Sequence, residues 1–188
     1  MSELEQRGFV KKSNGKGTIV IEPDDTKLHQ LALNSGYVEK ALRYLHALQL
    51  MVLIIRPAAL AAAARFTREE LDELTDRFTS PGSVYLADIQ EAVLKHTTLE
   101  PLYVILSETN HLLEWGHHFA YYPSKRHTLS HLNKKAITAL RQLYEGNASS
   151  FADGMADCYR YILICMKKNM VEKYKFHNVA NIRVPEKY

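Results

Sequence analysis

The stretch "YYPSKRHTLSHLNKKAITAL", Tyr121 to Leu140, decides how this chain is read. Proline lacks an amide hydrogen and suits the start of a helix, so Pro123 followed by Ser124, a good N-cap residue, marks a helix opening. At 100° per residue, Leu129, Leu132, Ala136, Leu140 and Leu143 fall on one stripe. That stripe is expected to face a core. His127, His131 and Lys134 lie toward the opposite side, which places the histidines at the surface or in a contact between chains.

Working outward, the same helical grammar recurs on both sides. "EGNASS" closes this helix and a further one starts at about Phe151, where Met155, Tyr159, Ile162, Met166 and Met170 repeat at helical spacing, as core residues do. Upstream, "TLEPLYVILSETNHLLEWGHHFAYY" reads as a long helix whose Leu102, Ile105, Leu112, Leu113 and Trp115 spread widely enough to face core on more than one side. "SVYLADIQEAVLKH" is another helix, opened by Ser83, and "FTREELDELTDRF" carries a capping box, Thr67 with Glu70 three residues on. A longer helix covers about Tyr37 to Ile55, and Pro57 is expected to stop or kink it. "DDTKLHQLAL" supplies N-cap candidates for a first helix, separated from the next by Ser35 and Gly36. Only the N-terminus differs: "RGFVKK", "SNGK" and "GTIVIEP" form a strand, an Asn-Gly turn and a second strand. The fold class expected is all-α, a multi-helix bundle (24–170) with a small N-terminal β-hairpin (1–23) and a basic, partly docked C-terminal tail (171–188).

A chain of 188 residues is long enough to bury one real core, and 46% hydrophobic with 24% charged residues argues against general disorder. A net charge of +3 is too small to demand a nucleic-acid partner but accommodates one if the charge is clustered. Cys158 and Cys165 are the only cysteines, and seven apart on a helix they stand about 10 Å from each other, beyond disulfide reach. They read as small core side chains in a reducing compartment. The opening "MSELEQRGFVKKSNGKG" has charges and no apolar run after them, so no signal peptide is expected and a cytoplasmic location is. "YLHALQLMVLII", Tyr44 to Ile55, is shorter than the roughly 20 apolar residues a membrane span needs, and reads as a buried core helix.

Chemistry concentrates in the opening stretch. Arg126 stands at the very start of its helix, where its side chain can fold toward the region of His131, so that guanidinium and imidazole converge on one phosphate. "RHTLSH", Arg126 to His131, resembles the Arg-polar-x-x-x-His motif of ribonucleases of the HEPN superfamily. That resemblance implies a small all-helical bundle, usually a homodimer, in which the motif begins a late helix and two copies make one composite RNA-cleaving site. It implies a reaction without metal or other cofactor. The ribose 2′-hydroxyl attacks the neighbouring phosphate, leaving a 2′,3′-cyclic phosphate. His131 would exchange protons, Arg126 would stabilise the added negative charge, and His127 would help.

Two other classes of function stay open. A non-enzymatic nucleic-acid-binding or assembly protein would use the basic hairpin (Lys11, Lys12, Lys16), the helix face with Lys134 and Lys135, and the tail region with Lys167, Lys168, Lys173 and Lys175. There lysines alternate with Tyr174 and Phe176, suited to phosphate and base. Lysine on an exposed strand edge also prevents edge-to-edge pairing. The third class is a metal protein. "SETNHLLEWGHH" puts Glu108, His111, Glu114 and His118 at three- and four-residue spacings, with imidazole and carboxylate donors suited to zinc or iron. Both Glu-x-x-His pairs sit on one helix, whereas a di-iron cage draws them from separate helices.

Overall fold

The computed structural model describes Glu5 and residues 10–13, 17–20, 37–77, 85–117, 126–172 and 175–186. The hairpin comes first: β1 (Val10–Ser13) pairs antiparallel with β2 (Gly17–Val20), setting Val10 opposite Val20 and Lys12 opposite Thr18. Six helices follow among the described residues: α1 (Tyr37–Ala63), α2 (Arg68–Arg77), α3 (Tyr85–His96), α4 (Glu100–His117), α5 (Arg126–Tyr144) and α6 (Ala148–Glu172). The protein is therefore an all-α bundle with a small hairpin, as the periodicity predicts. The first helix, expected over "DDTKLHQLAL" (24–33), and the N-caps Ser83 and Ser124 lie outside the described residues.

The core is built where α1 and α6 pack along each other, with α3, α4 and α5 closing around them. Leu45, Leu48, Met51 and Ile55 of α1 and Phe151, Met155, Leu163 and Met166 of α6 are fully buried. Each such side chain contributes roughly 1.5–3 kcal/mol relative to exposure. All five residues of the stripe from Met155 to Met170 are buried, and so are Leu132, Ala136, Leu140 and Leu143 of α5.

Of the stop or kink expected at Pro57, the stop does not occur: α1 runs six residues past it to Ala63. Pro57 and Leu53, whose carbonyl loses its amide partner, both lie on the solvent side, where water replaces the missing hydrogen bond. Beyond the proline, Ala58, Ala59 and Ala62 are buried with the best helix-forming residue type. By length and composition Ala41–Ala63 is apolar enough to cross a membrane, but half of that window is buried inside the bundle.

A second correction concerns α4. Leu106, Thr109 and Leu113 are buried and Leu102 partly so, whereas Tyr103, Val104 and Ile105 are exposed. The helix lies at the edge of the bundle and packs one face, against α1 and α3. Leu112 and Trp115 lie outside the described side chains.

The capping box opens α2 as read from sequence: the Thr67 amide donates to Glu70 Oε2, and the Glu70 amide to Thr67 Oγ1, both at 3.2 Å. Glu70 also accepts from Lys95 Nζ at 2.7 Å and meets His96 Nε2 at 2.8 Å. Phe66 packs on His96 and sets its edge toward Phe151, tying α2 and α3 to α6.

After α6 the chain turns at Lys175, a non-glycine residue with φ of 57°, and buries Phe176, Val179 and Ile182 around a short 3-10 turn (His177–Asn181). The following strap is held through its backbone. Ile182 accepts from Lys167 at 2.7 Å, Arg183 from Gln49 at 2.6 Å, and Pro185 and Glu186 from Arg160 at 3.0 and 3.1 Å.

Candidate nucleic-acid interface

The turn between α5 and α6 sets the geometry of the candidate site. Gly146 has φ of +83°, a conformation open to glycine, and its amide bonds to the Leu143 carbonyl while the Asn147 amide reaches the Gln142 carbonyl. This is a Schellman closure of α5. Asn147 then caps α6 by accepting the Ser150 amide at 3.1 Å. The two helices fold back antiparallel and approach unusually closely at Gly154, where a Cβ would stand 2.7 Å from the Cβ of Ala139.

Along this seam runs a groove of about 300 Å³. From α5 it is lined by His131, Lys134, Lys135, Thr138 and Gln142. Ser150, Gly154 and Asp157 line it from α6. His131 is exposed, as its place opposite the leucine stripe predicts, and its ring packs on Tyr161 with centroids 4.9 Å apart. The Lys135 ammonium stands 6.0 Å from the same tyrosine ring, within reach of its negative face. Asp157 is ion-paired with Arg160 one turn on. Behind the groove, burial pushes the Cys158 thiol up to about 12; the nearby Lys135 charge opposes that shift and Asp157 adds to it. Cys158 is thus a core residue and no nucleophile, and Cys165 is half-buried; both are free thiols.

The structure starts α5 at Arg126, so the motif opens a late helix, but the side chains of Arg126 and His127 lie outside the described residues. His131, Lys134 and Lys135 share the groove. Lys11 and Lys12 are exposed on β1, and Lys16 lies outside the described residues, as does Lys173. Lys167 and Lys175 point their ammonium groups at the carbonyls of Ile182 and Glu172, and Lys168 lies 3.9 Å from the Glu172 carboxylate. Lys168 and Lys175 are nonetheless exposed, and Lys167 is half-buried. Glu108 and His111 are exposed on α4, Glu114 and His118 have no described side chains, and among the described residues no three His, Cys, Asp or Glu gather closely enough for a metal ion.

Asp157 and Ser150 line the groove, and Tyr161 packs on its His131, without having been singled out in the sequence. Their signal was available: with Gly154 they follow one another at three- and four-residue steps beside the buried stripe of α6.

Comparison with protein-family models, curated proteins and solved structures found no match for this chain.

Proposed function

We propose that this chain is a metal-independent, HEPN-like endoribonuclease that binds RNA along the α5–α6 groove. The observation that carries the reading is the setting of His131: an exposed imidazole, braced by Tyr161, in a groove shared with Lys134 and Lys135. Two ammonium groups beside an imidazole suit a phosphodiester, since lysine neutralises phosphate and imidazole exchanges protons near neutral pH. In the reaction, the 2′-oxygen forms a bond to phosphorus as its proton passes to a base, and the bond from phosphorus to the 5′-oxygen breaks as that oxygen takes up a proton. The products are a 2′,3′-cyclic phosphate and a 5′-hydroxyl. His131 is assigned to proton transfer and Arg126 to the charge on the phosphate, with His127 assisting. A homodimer would supply the second proton-transfer group from its other copy.

The test is labelled RNA with purified protein in excess chelator, beside Arg126→Ala and His131→Ala. Cleavage is expected to survive chelation and to fall by about 10²–10⁴ in the His131 variant, the usual contribution of a general acid or base. Binding without cleavage would leave a nucleic-acid-binding protein, the reading that the groove lysines favour by themselves. Activity restored only by added metal would move attention to Glu108, His111, Glu114 and His118.

A further inference from the structure

On the outer side of α6, Ile164, Lys168 and Val171 follow one another at four- and three-residue steps, so they share a face. Burial of Phe176, Val179 and Ile182 docks the C-terminal tail alongside and brings Ala180 and Val184 up to that face. With Lys167 and Glu172 these residues line a groove of about 370 Å³, within the size range of ligand sites. It shares no lining residue with the α5–α6 groove.

The floor is aliphatic. Val171 and Val184 pack against the core and stay partly open, and Ile164, a large β-branched side chain, is 47% exposed. Around this floor stand two ammonium groups and one carboxylate. The Lys167 ammonium uses one of its three donors on the Ile182 carbonyl. Lys168 meets Glu172 at 3.9 Å with both side chains well over half exposed, an ion pair that contributes little to the fold and yields readily to a ligand. Lys175, whose ammonium sits on the Glu172 carbonyl, and the exposed Arg183 beside Val184 raise the local positive charge.

We propose that this groove docks an extended segment of a protein partner in which aliphatic side chains alternate with carboxylates. Cations around an aliphatic floor ask for anions carried on an apolar body. A nucleic acid would supply the anions, but none of the described lining residues is an aromatic on which a base could stack. An acyl chain would cover the floor, yet it has no donor for the Glu172 carboxylate. A peptide meets all three demands: aliphatic side chains cover Ile164 and its neighbours, carboxylates reach Lys167 and Lys168, and main-chain amides donate to Glu172. From Ile164 to Val171 the groove runs about 10 Å along α6, room for about three extended residues. A helix, about 10–12 Å across with its side chains, is too wide to settle onto the floor. In an extended segment successive side chains point to opposite sides, so the aliphatic ones face the floor while the carboxylates face outward, within reach of the flexible lysine stems.

The experiment measures, by fluorescence anisotropy at fixed salt, the binding of a fluorescein-labelled peptide of alternating leucine and glutamate to the full-length protein. The parent is expected to bind it at least about tenfold more tightly than a serine–glutamate peptide of the same length, which keeps the charge and lacks the aliphatic row. Ile164→Gln and Lys168→Glu change exposed positions and leave the core intact; each is expected to weaken binding about three- to tenfold. Equal affinity for the two peptides, no loss in either variant, or no binding by the parent overturns the inference. Phosphatidylserine vesicles or a uridine oligonucleotide bound in place of the peptide, and weakened by the same two variants, would assign the groove to a membrane or to nucleic acid and overturn it as well. Binding is read without RNA cleavage, so failure of the ribonuclease reading and failure of this one are separate results.

Discussion

Gly154→Ala is the substitution that tests the α5–α6 seam most directly. Non-bonded carbon atoms rest about 3.5–4.0 Å apart. The new methyl would lie 2.7 Å from the Cβ of Ala139 and 3.2 Å from its Cα, so the helices must separate by about 1 Å. One of those neighbours is backbone, which cannot swing aside as a side chain can. Overpacking of this kind costs about 1–3 kcal/mol. Replacing glycine by alanine inside a helix returns about 1 kcal/mol through lower chain entropy. The backbone contact argues for the upper part of the range, leaving a net loss of about 1–2 kcal/mol. For a chain of this size that lowers Tm by about 2–8 °C. Urea unfolding and calorimetry measure the loss, and Ala139→Gly in the same background should recover part of it by removing the clashing methyl. Ala139→Gly alone should destabilise, so the pair must be non-additive in the favourable direction. A Gly154→Ala protein as stable as the parent, or strictly additive effects, would refute the close approach.

Three further outcomes follow from the packing. Hydrogen bonding from Lys95 first, then from the Thr67 amide, and the neighbouring His96 hold Glu70 at about 2 instead of its ordinary 4.5. A depressed carboxylate stabilises the fold above the unfolded value and loses that effect as pH falls toward the folded one. The stability gap between the parent and Glu70→Gln should therefore be full at pH 6–7 and shrink between pH 4.5 and 2, measured by urea unfolding. Tyr159→Phe removes the hydroxyl that donates to the buried Gln90 carbonyl, while Gln90 keeps its bond to Asn110 at 2.8 Å; a loss of about 1–3 kcal/mol is expected in the same assay. With a disulfide thiol reagent at pH 8, Cys158 should stay unmodified until the protein unfolds, because burial keeps its thiol protonated; rapid labelling of Cys158 in the native protein would contradict that.

How much of this was legible beforehand depends on whether local chemistry decides the feature. The capping box at Thr67 and Glu70, the buried stripe of α6 and the outward face of His131 and Lys134 were all readable, because each depends on spacing within one helix. Pro57 misled because its cost depends on which side of α1 meets water, and that is settled by α6, far along the chain. Ile105 misled for the same reason: a broad apolar arc on α4 reports capacity for burial, while the number of neighbours decides how much is used. The partial docking of the C-terminal tail was readable from its loss of the helical stripe, but no sequence pattern announces that Lys167 of α6 will meet the Ile182 carbonyl.

The groove is a case where a local signal could have carried further. Gly146 closes α5 and Asn147 opens α6 at once, so the helix pair is hinged with almost no slack. In an antiparallel pair hinged so tightly, residues equally distant from the hinge must meet. His131 and Tyr161 flank Gly146 at equal distance and pack together, and Ala139 with Gly154 does so to within one position. The same rule sets Lys135 across from Asp157, and both line the groove. A glycine in a left-handed turn thus determines which polar residues face the histidine, and through Asp157 and Arg160 it brings the C-terminal strap into register with the candidate site. Lengthening that turn by one residue would leave each helix's own pattern intact while separating His131 from Tyr161, so register across the hinge, more than any residue within the motif, is what assembles the groove.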